Sequence, residues 1–230
     1  MKNKLIPILK LSALAVLACT GFSSCTTGGG GGSAQARYEN YDRPASLPTN
    51  PSKVRVKVSI KNQMAYVMEG SKPLLIMPVT VGTSKNPTPR GNFRIFGKEH
   101  YHRANTHGYA YTGNTVRPAY LRNKPSGWKF KGTPMPYWCE FKPAYGFHTG
   151  WMKPFPASHG CLRMHKNVAP KFFRLVRNGT PVNISSSQPE DATIGRNIPR
   201  PPDSTPFPGN PDAMMLTNKF FTMHKKPTYQ

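Results

Sequence analysis

The clearest pattern along the chain is an alternation of apolar and polar residues that begins at Val54. Between positions 54 and 60 every second residue is Val or Ile, and the residues between them are Arg, Lys and Ser. A period of two is typical of a strand with one buried face. Two further apolar runs, at 64–68 and 74–81, follow after short polar turns. Residues 53–82 therefore predict three strands connected as an antiparallel meander.

The pattern weakens after Gly82. Residues 82–91 contain Pro87 and Pro89, and proline cannot continue a strand ladder because it lacks the backbone N–H. Short apolar runs at 93–96 and 135–141 predict two further strands. Residues 97–132 are polar and basic without a sustained period, and long loops in compact domains are more often functional than idle. We interpret this region as a flap or a substrate wall.

A helical pattern follows position 161. Asn167 can cap a helix, Pro170 falls in its first turn, and Asn178-Gly179 marks its end. Phe172, Phe173 and Val176 supply the apolar face, and residues 180–184 predict a closing strand. The predicted fold class is mainly β with one short helix.

The N-terminal residues have the pattern of an export signal. A basic start is followed by an apolar run from Leu11 to Ala18, which is too short to span a bilayer comfortably, and by small residues near Cys19 and Cys25. This pattern is typical of a lipoprotein-type signal over residues 1–25, and either Cys25 or Cys19 is the candidate for lipidation. The residues before Cys25 are the smaller ones. A cleaved signal without a lipid is the alternative.

The remaining segments complete the predicted domain organisation. Five glycines at 28–32 and scattered prolines up to position 51 predict a Gly/Pro-rich tether over residues 26–52. One folded domain occupies residues 53–185. Residues 186–230 are Pro-rich and almost unpatterned, which predicts a mostly disordered tail that can dock locally.

The charge of the chain restricts its partners. Its 230 residues carry 32 Lys and Arg against 9 Asp and Glu, a formal net charge of +23. Such a surface favours a polyanion or an anionic matrix, and the export signal argues against nucleic acid. About +19 of this charge lies within residues 53–186, where no Asp occurs. With three Glu in this range, paired-carboxylate chemistry has almost no material, and a Cys-His-Asp triad lacks its Asp.

Residues 145–165 concentrate three His, one Cys and three Gly. A nucleophilic Cys needs an accessible sulfur and a partner that lowers its thiol pKa from about 8.5. His148 and His159 are the candidate bases for Cys161. Gly160 permits a tight turn with amide groups aimed at one point.

Three other interpretations of this cluster use the same residues. Cys161 can be a small buried hydrophobe or can form a disulfide with Cys139. Alternatively, His148, His159, Cys161 and His165 can hold zinc, although their spacing matches no common zinc pattern. We predict no metal and no cofactor.

The segment Ser158-His159-Gly160-Cys161, preceded by His148 in Phe147-His148-Thr149-Gly150, resembles the signature of the L,D-transpeptidase catalytic domain. The upstream segments PVTVG at 78–82 and TPRGNF at 88–93 resemble the opening of that domain, so the resemblance covers about residues 53–185. It implies an L,D-transpeptidase-like β-sandwich with one short helix after the catalytic Cys. It also implies that a cysteine thiolate attacks peptidoglycan stem peptides.

The resemblance implies roles for four residues at the reaction centre. Cys161 matches the nucleophile and His148 matches the base. The carbonyl group of Thr149 is the candidate for orienting the His148 ring. Backbone amides around Gly160 and Cys161 are expected to form the oxyanion hole.

Four further residues are candidates for substrate binding. Arg163 matches an Arg of the family motif and is suited to binding a substrate carboxylate or to bracing the site. His159 is expected to support the site rather than to act as the base. Ser158 and Trp151 complete this set.

The expected function is a cysteine-dependent L,D-transpeptidase that forms cell-wall cross-links through a thioester acyl-enzyme. An L,D-carboxypeptidase or endopeptidase would use the same Cys-His site with water as the acceptor. A non-catalytic cell-wall-binding lipoprotein is the alternative from another class. A sortase-like enzyme is disfavoured, because its essential Arg lies well beyond the Cys in sequence. We expect a monomer in the cell envelope, exported to the periplasm and held at a membrane by an N-terminal lipid anchor.

Overall fold

The computed structural model of the protein describes residues 33–203 and 211–230. The predicted export signal, the lipidation of Cys25 or Cys19 and the glycine run at 28–32 lie outside these described residues. Within the described part of the chain, every helix is too short or too polar to cross a membrane.

The described residues form twelve strands, four short α-helices and three short 3-10 helices, the last at Pro51–Lys53, Leu121–Asn123 and Pro189–Ala192. The strands are β1 (Val54–Ser59), β2 (Met64–Glu69), β3 (Lys72–Pro78), β4 (Gly91–Arg94), β5 (Gly97–Glu99), β6 (Arg103–Thr112), β7 (Thr115–Tyr120), β8 (Lys129–Pro134), β9 (Trp138–Lys142), β10 (Tyr145–Thr149), β11 (Leu162–Met164) and β12 (Pro181–Ser185). The helices are α1 (Ala34–Asn40), α2 (Ala169–Leu175), α3 (Pro211–Met215) and α4 (Lys219–Thr222).

The first sheet has five strands in the order β3-β2-β1-β12-β4. Antiparallel pairing of β1 with β2 and of β2 with β3 confirms the predicted meander. The closing strand β12 pairs in parallel with β1, so that Val56 lies opposite Val182. The alternating valines of β1 all point to the buried side, where Val54, Val56 and Val58 are at most 2% exposed.

The second sheet has four strands in the order β11-β10-β9-β5 and packs against the first across the main hydrophobic core. Phe147 of β10 lies opposite Cys139 of β9 and Leu162 of β11. All three side chains are fully buried in this core, together with residues of β1, β2, β3 and β12. The prediction of a mainly β sandwich is confirmed.

Helix α2 occurs where the sequence predicts it, with a different cap. Pro170 lies in the first turn, and Phe172 is fully buried against Phe147, with the ring centroids 4.5 Å apart. The N-cap residue is Val168 rather than Asn167. The Asn167 amide instead donates to the carbonyl groups of Glu39 and Tyr41, which ties the N-terminal segment to the domain.

Residues 97–132 are not a long loop, and this part of the secondary-structure prediction is wrong. They contain β5, β6 and β7 and the start of β8, and the last three strands form a separate sheet in the order β7-β6-β8. A Cβ on Gly132 would lie 1.9 Å from the Ala104 carbonyl oxygen, so glycine is required where β8 approaches β6. These strands bury few side chains, which explains why the sequence lacks a sustained apolar period.

The segment before the domain is packed rather than loose over its described part. Ser33 caps α1, and the Tyr38 side chain is 2% exposed. Ala45 is also buried in the main core, and Ser46 donates its amide to the Leu74 carbonyl. The predicted tether over residues 26–52 is therefore corrected for residues 34–52, which belong to the folded unit because Tyr38 and Ala45 bury apolar surface.

The described residues of the tail dock on the domain, as the prediction allows, but they are packed rather than mostly disordered. Asp191 accepts hydrogen bonds from the hydroxyl groups of Ser59 and Tyr66. Further along, Phe220 and Phe221 are at most 8% exposed. The tail has little secondary structure of its own, so sequence periodicity does not reveal that it docks through isolated aromatic and polar side chains.

Candidate active site

The second sheet places the predicted base and its neighbours on one side of the sandwich. Because side chains alternate along a strand, Phe147 and Leu162 enter the core while His148 and Arg163, which are also paired, face the opposite side. Cys161 immediately precedes β11 and packs with Trp138, the residue before Cys139 on β9. The region 145–165 therefore folds as a boundary between the core and a pocket.

A cavity of about 430 Å³ lies on this second side. Seven of the eight predicted site residues line it. The eighth, Gly160, lies in the chain between His159 and Cys161, which both line the cavity. Its lining residues are His107, Gly108, Tyr109, Pro118, Ala119, Tyr120, Thr133, Pro134, Met135, His148, Thr149, Gly150, Trp151, Ser158, His159, Cys161, Arg163, Met215 and Phe220. The three-stranded sheet thus supplies a wall of the pocket, as the sequence interpretation of residues 97–132 proposes.

His148 is held in one tautomer. Its Nδ1 lies 2.8 Å from the carbonyl oxygen of Thr149, which can only accept, so Nδ1 carries the proton and Nε2 has a free lone pair. Burial lowers the pKa of His148 to about 3, and the nearby positive charge of Arg163 acts in the same direction, against the Thr149 hydrogen bond. His148 is therefore a neutral imidazole at neutral pH, with Nε2 unprotonated.

Cys161 is a protonated thiol in this arrangement. It is 9% exposed, and its Sγ donates to the Ala144 carbonyl oxygen at 3.6 Å rather than to His148. Burial raises the pKa of the Cys161 thiol, while a hydrogen bond from the Gly146 backbone and the charge of Arg163 oppose this shift. Catalytic hydrogen bonds are often incomplete without substrate. A nucleophilic role thus requires the thiol to turn from Ala144 towards His148.

The turn before Cys161 is fixed by Ser158 and Gly160. The Ser158 hydroxyl donates to the Cys161 carbonyl oxygen at 2.6 Å and accepts from the Gly160 amide at 3.0 Å. Gly160 has φ of +108°, and a Cβ there would lie 2.5 Å from a ring carbon of Tyr145. The assignment of the Gly160 amide to the oxyanion hole is corrected because that amide is bonded to Ser158, and the candidate donor is now the Cys161 amide.

Arg163 is the cationic group of the pocket. Burial lowers its pKa, and it has no carboxylate partner within the described residues. Its guanidinium contacts the Trp151 carbonyl oxygen at 3.4 Å, and its aliphatic carbons lie where a side chain on Gly150 would be. Arg163 is therefore placed to bind an anionic group that enters the cavity.

His159 lies at the exposed rim of the pocket. Its Nε2 is 3.0 Å from the Tyr120 hydroxyl, and its ring lies 5.3 Å from that of His107. Both partners come from the three-stranded sheet, so His159 joins that sheet to the turn that carries Cys161. This position agrees with a supporting role and not with the orientation of a base.

The zinc and disulfide alternatives find no support in the geometry. His165 is buried elsewhere, with Nε2 2.7 Å from the Tyr38 carbonyl oxygen. Over residues 33–203 and 211–230, no three His, Cys, Asp or Glu side chains converge as metal ligands. Cys139 and Cys161 are both free, and Cys139 lies fully buried in the main core, where burial raises its pKa to about 12.

Sequence reasoning missed several residues of the pocket. His107 and Tyr109 come from β6, while Met215 and Phe220 come from the C-terminal segment. Trp138 stacks on His102 with the ring centroids 4.5 Å apart and lies 6.1 Å from the His148 ring. The Tyr-rich composition of residues 97–132 offers a signal for part of this set, and the apolar clusters at 214–216 and 220–221 offer one for the C-terminal part.

Residues 53–184 match the family described as the L,D-transpeptidase catalytic domain. Among solved structures, the chain is similar to an L,D-transpeptidase from Stackebrandtia nassauensis, with 21% identity, coverage of 68% of this chain and 66% of that chain, and a TM-score of 0.44. It is also similar to an L,D-transpeptidase from Mycobacterium smegmatis, with 19% identity, coverage of 58% of this chain and 58% of that chain, and a TM-score of 0.46. A third similar structure is the catalytic domain of the E. faecium L,D-transpeptidase, with 23% identity, coverage of 57% of this chain and 96% of that chain, and a TM-score of 0.43.

The match with the first two of these structures spans less than two thirds of their own length. Comparison with curated proteins gives no significant match.

Proposed function

The chain belongs to the L,D-transpeptidase catalytic domain family, and from this premise we propose that it is a cysteine-dependent L,D-transpeptidase that cross-links peptidoglycan stem peptides. The observation that carries the proposal is the pocket in which a neutral His148 of fixed tautomer lies with Cys161 and with Arg163, which has no carboxylate partner in the described chain. A base, a nucleophile and a cation for an acidic substrate are the groups that this reaction requires.

In the acylation step, His148 Nε2 takes the thiol proton as Sγ attacks the carbonyl carbon at the L-centre of the diamino-acid residue. The Cys161 amide donates to the resulting oxyanion, a contribution worth several kcal/mol in other acyl transfers. Collapse of the intermediate breaks the C–N bond to the terminal D-Ala. The His148 imidazolium returns its proton to the departing amine, which leaves a thioester on Cys161.

In the second step an amine from another stem peptide, or from a protein, attacks the thioester carbon. His148 takes a proton from this amine, the C–S bond breaks, and the sulfur leaves as a thiolate that regains the proton. Arg163 binds a carboxylate of the stem peptide, which agrees with the excess of basic residues in the domain.

We also propose that the protein works in the cell envelope, exported and held at a membrane by a lipid on Cys25 or Cys19. The support is the pattern of the first 25 residues, in which a basic start and a short apolar run precede the two cysteines. Peptidoglycan lies outside the cytoplasmic membrane, so export is a requirement of the proposed reaction.

Incubation of the purified protein with tetrapeptide muropeptides tests the proposed function. Product masses are expected to show a cross-linked dimer formed with loss of one D-Ala. Loss of D-Ala without dimer formation would make the protein an L,D-carboxypeptidase. Absence of both products, with binding to cell walls that weakens steeply as salt rises, would make it a binding module.

Cys161→Ala and Cys139→Ala are the matched variants for this experiment. Cys161→Ala should abolish both products, whereas Cys139→Ala should retain them because Cys139 lies in the core away from the pocket. Undiminished cross-linking by Cys161→Ala would contradict the proposal.

A further inference from the structure

The C-terminal residues 211–230 reach the pocket from outside the region that matches the family. Met215 and Phe220 line the cavity and are 3% and 2% exposed. The Phe220 ring packs edge-on against Trp151, with the centroids 5.4 Å apart. The family match ends at residue 184, so these contacts come from residues outside the matched region.

Two cationic side chains of the three-stranded sheet hold this segment in place. Arg103 of β6 donates to the carbonyl oxygens of Met215 at 2.9 Å and Thr217 at 2.8 Å. Lys131 of β8 donates to the intervening Leu216 carbonyl oxygen at 2.8 Å. Three consecutive carbonyl groups thus receive charge-assisted hydrogen bonds, which are stronger than bonds between neutral groups. The segment is attached to the same sheet that forms the pocket wall.

Thr149 is the point where the segment meets the reaction centre. Its amide donates to the Pro136 carbonyl oxygen at 2.8 Å, and its own carbonyl oxygen accepts from His148. Its hydroxyl lies 2.8 Å from Nε2 of His224. The backbone of Thr149 is therefore fixed at its amide, while its side chain, which is 1% exposed, is fixed by the C-terminal segment.

The direction of the bond between Thr149 and His224 follows from the other ring nitrogen. Nδ1 of His224 lies 3.1 Å from the Phe221 carbonyl oxygen, which can only accept, so Nδ1 carries the proton. Burial lowers the pKa of His224 to about 4, and the ring is neutral at neutral pH. Nε2 consequently accepts the hydrogen bond that the Thr149 hydroxyl donates.

We infer that His224 is a positioning residue for the reaction: by binding the Thr149 hydroxyl it holds the carbonyl group that orients His148, and the C-terminal segment thereby completes the active site. The inference rests on the proposed role of His148 as the base for Cys161. His224 itself does not line the cavity, so it acts through Thr149 rather than on the substrate.

Removal of this bond leaves the buried Thr149 hydroxyl without its acceptor. The Thr149 side chain then rotates towards another hydrogen-bond partner. This rotation displaces the Thr149 carbonyl group, to which His148 is bonded. The His148 ring stays in the pocket but loses its defined direction, so proton transfer from Cys161 slows. Because the cavity lining is unchanged, KM for a stem peptide should change little while kcat falls.

The test measures iodoacetamide alkylation of Cys161, located by peptide mass, between pH 6 and 9 in the full chain. This readout requires no cell-wall substrate. We expect His224→Ala and Thr149→Val each to slow alkylation by about 5- to 10-fold, the effect of losing one buried hydrogen bond. The double variant should be no slower than either single variant, because both remove the same bond.

Thr149→Ser keeps the hydroxyl and should recover most of the rate that Thr149→Val loses. Thr222→Ala is the matched control in the same segment, since that exposed hydroxyl donates to the Lys219 carbonyl oxygen of its own short helix. It should leave the rate unchanged. If His224→Ala fails to fold, Thr149→Val carries the test, because valine replaces the hydroxyl by a methyl group of similar size.

Unchanged alkylation in both His224→Ala and Thr149→Val would overturn the inference, as would fully additive losses in the double variant or an equal loss in Thr222→Ala. Steady-state cross-linking by the same variants separates this result from failure of the proposed function. A protein that alkylates in the expected pattern yet forms no cross-link would refute the transpeptidase and leave the positioning role intact. If the variants cross-linked normally with unchanged kcat, the transpeptidase would stand and the positioning role of His224 would be refuted.

Discussion

The two faces of the second sheet differ in what their residues do. On the core face, Cys139, Phe147 and Leu162 are fully buried among apolar side chains. On the pocket face, His148 and Arg163 lie beside Cys161, and each has a pKa shifted by burial. One residue step along β10 separates a side chain that stabilises the fold from one that carries the proposed chemistry. The two functions of the sheet are therefore separable by mutation.

The largest expected effect is on the pocket face. His148→Gln removes the proposed base and should lower the rate of acyl transfer about a thousand-fold, within the range for general bases. The unfolding free energy should change far less, because the main core is untouched. Thioester formation followed by mass, together with denaturant unfolding, checks both statements. A variant with near-normal acylation would show that another group takes the thiol proton.

The neighbouring residue on the core face should behave in the opposite way. Phe147→Ala removes a ring that packs on Phe141 and Phe172, and such truncations cost about 3–5 kcal/mol. Urea unfolding measures this loss, and the molecules that remain folded should keep their acylation rate. If Phe147→Ala and His148→Gln lost stability and activity in the same proportion, the two faces of the sheet would not have separate functions.

Acid should lower the free energy of unfolding, because three histidines are buried in their neutral form. Burial lowers the pKa of His148 to about 3 and those of His165 and His224 to about 4, against an ordinary value of about 6.5. Below pH 6.5 the unfolded chain binds protons that the folded chain does not, so stability is complete above this pH and falls progressively towards pH 3. Unfolding free energies measured between pH 7.5 and 4 check the slope.

His165→Gln is the variant that isolates the core contribution to this acid effect. It should flatten the pH dependence while leaving the alkylation of Cys161 unaltered, because His165 is bonded to Tyr38 away from the cavity. A pH dependence as steep as that of the unchanged protein would show that His165 is not a source of it.

The smallest expected effects are on the alkylation of the two cysteines and on the change in that alkylation when Arg163 is replaced. Cys161 should be alkylated in the native protein while Cys139 stays unreacted, since only Cys161 lines the cavity. Arg163→Gln removes a positive charge that lowers the Cys161 pKa, so the pKa should rise and alkylation at a fixed pH below it should slow. Faster alkylation in Arg163→Gln would show that steric access outweighs charge.

The sequence predicts the core face better than the walls of the pocket. The valines of β1 and the apolar positions of α2 repeat with the period of their element because a continuous core buries them. Strands β6 and β7 bury few side chains, so nothing in their local pattern distinguishes them from a loop. The prediction that this region forms a wall rests on its length as a supposed loop, and it holds although the region is a sheet.

The site is predicted only as far as its reactive residues are close in sequence. His148, Thr149, Cys161 and Arg163 lie within one short segment, and the structure brings them to one cavity. The direction of the Gly160 amide depends on a hydroxyl two residues away, and the contact of His224 with Thr149 depends on tertiary packing. Neither arrangement has a local signature.

The parallel pairing of β1 with β12 also governs how the chain can fold. Val56 pairs with Val182, so two central strands of the first sheet come from opposite ends of the domain. Loop closure over such a separation is slow compared with local pairing. During synthesis from the N-terminus, the meander can form early but its exposed edge at β1 must wait for the last strand. Assembly of the two sheets around Cys161 is thus expected to be a late event, completed only after translation has passed Ser185.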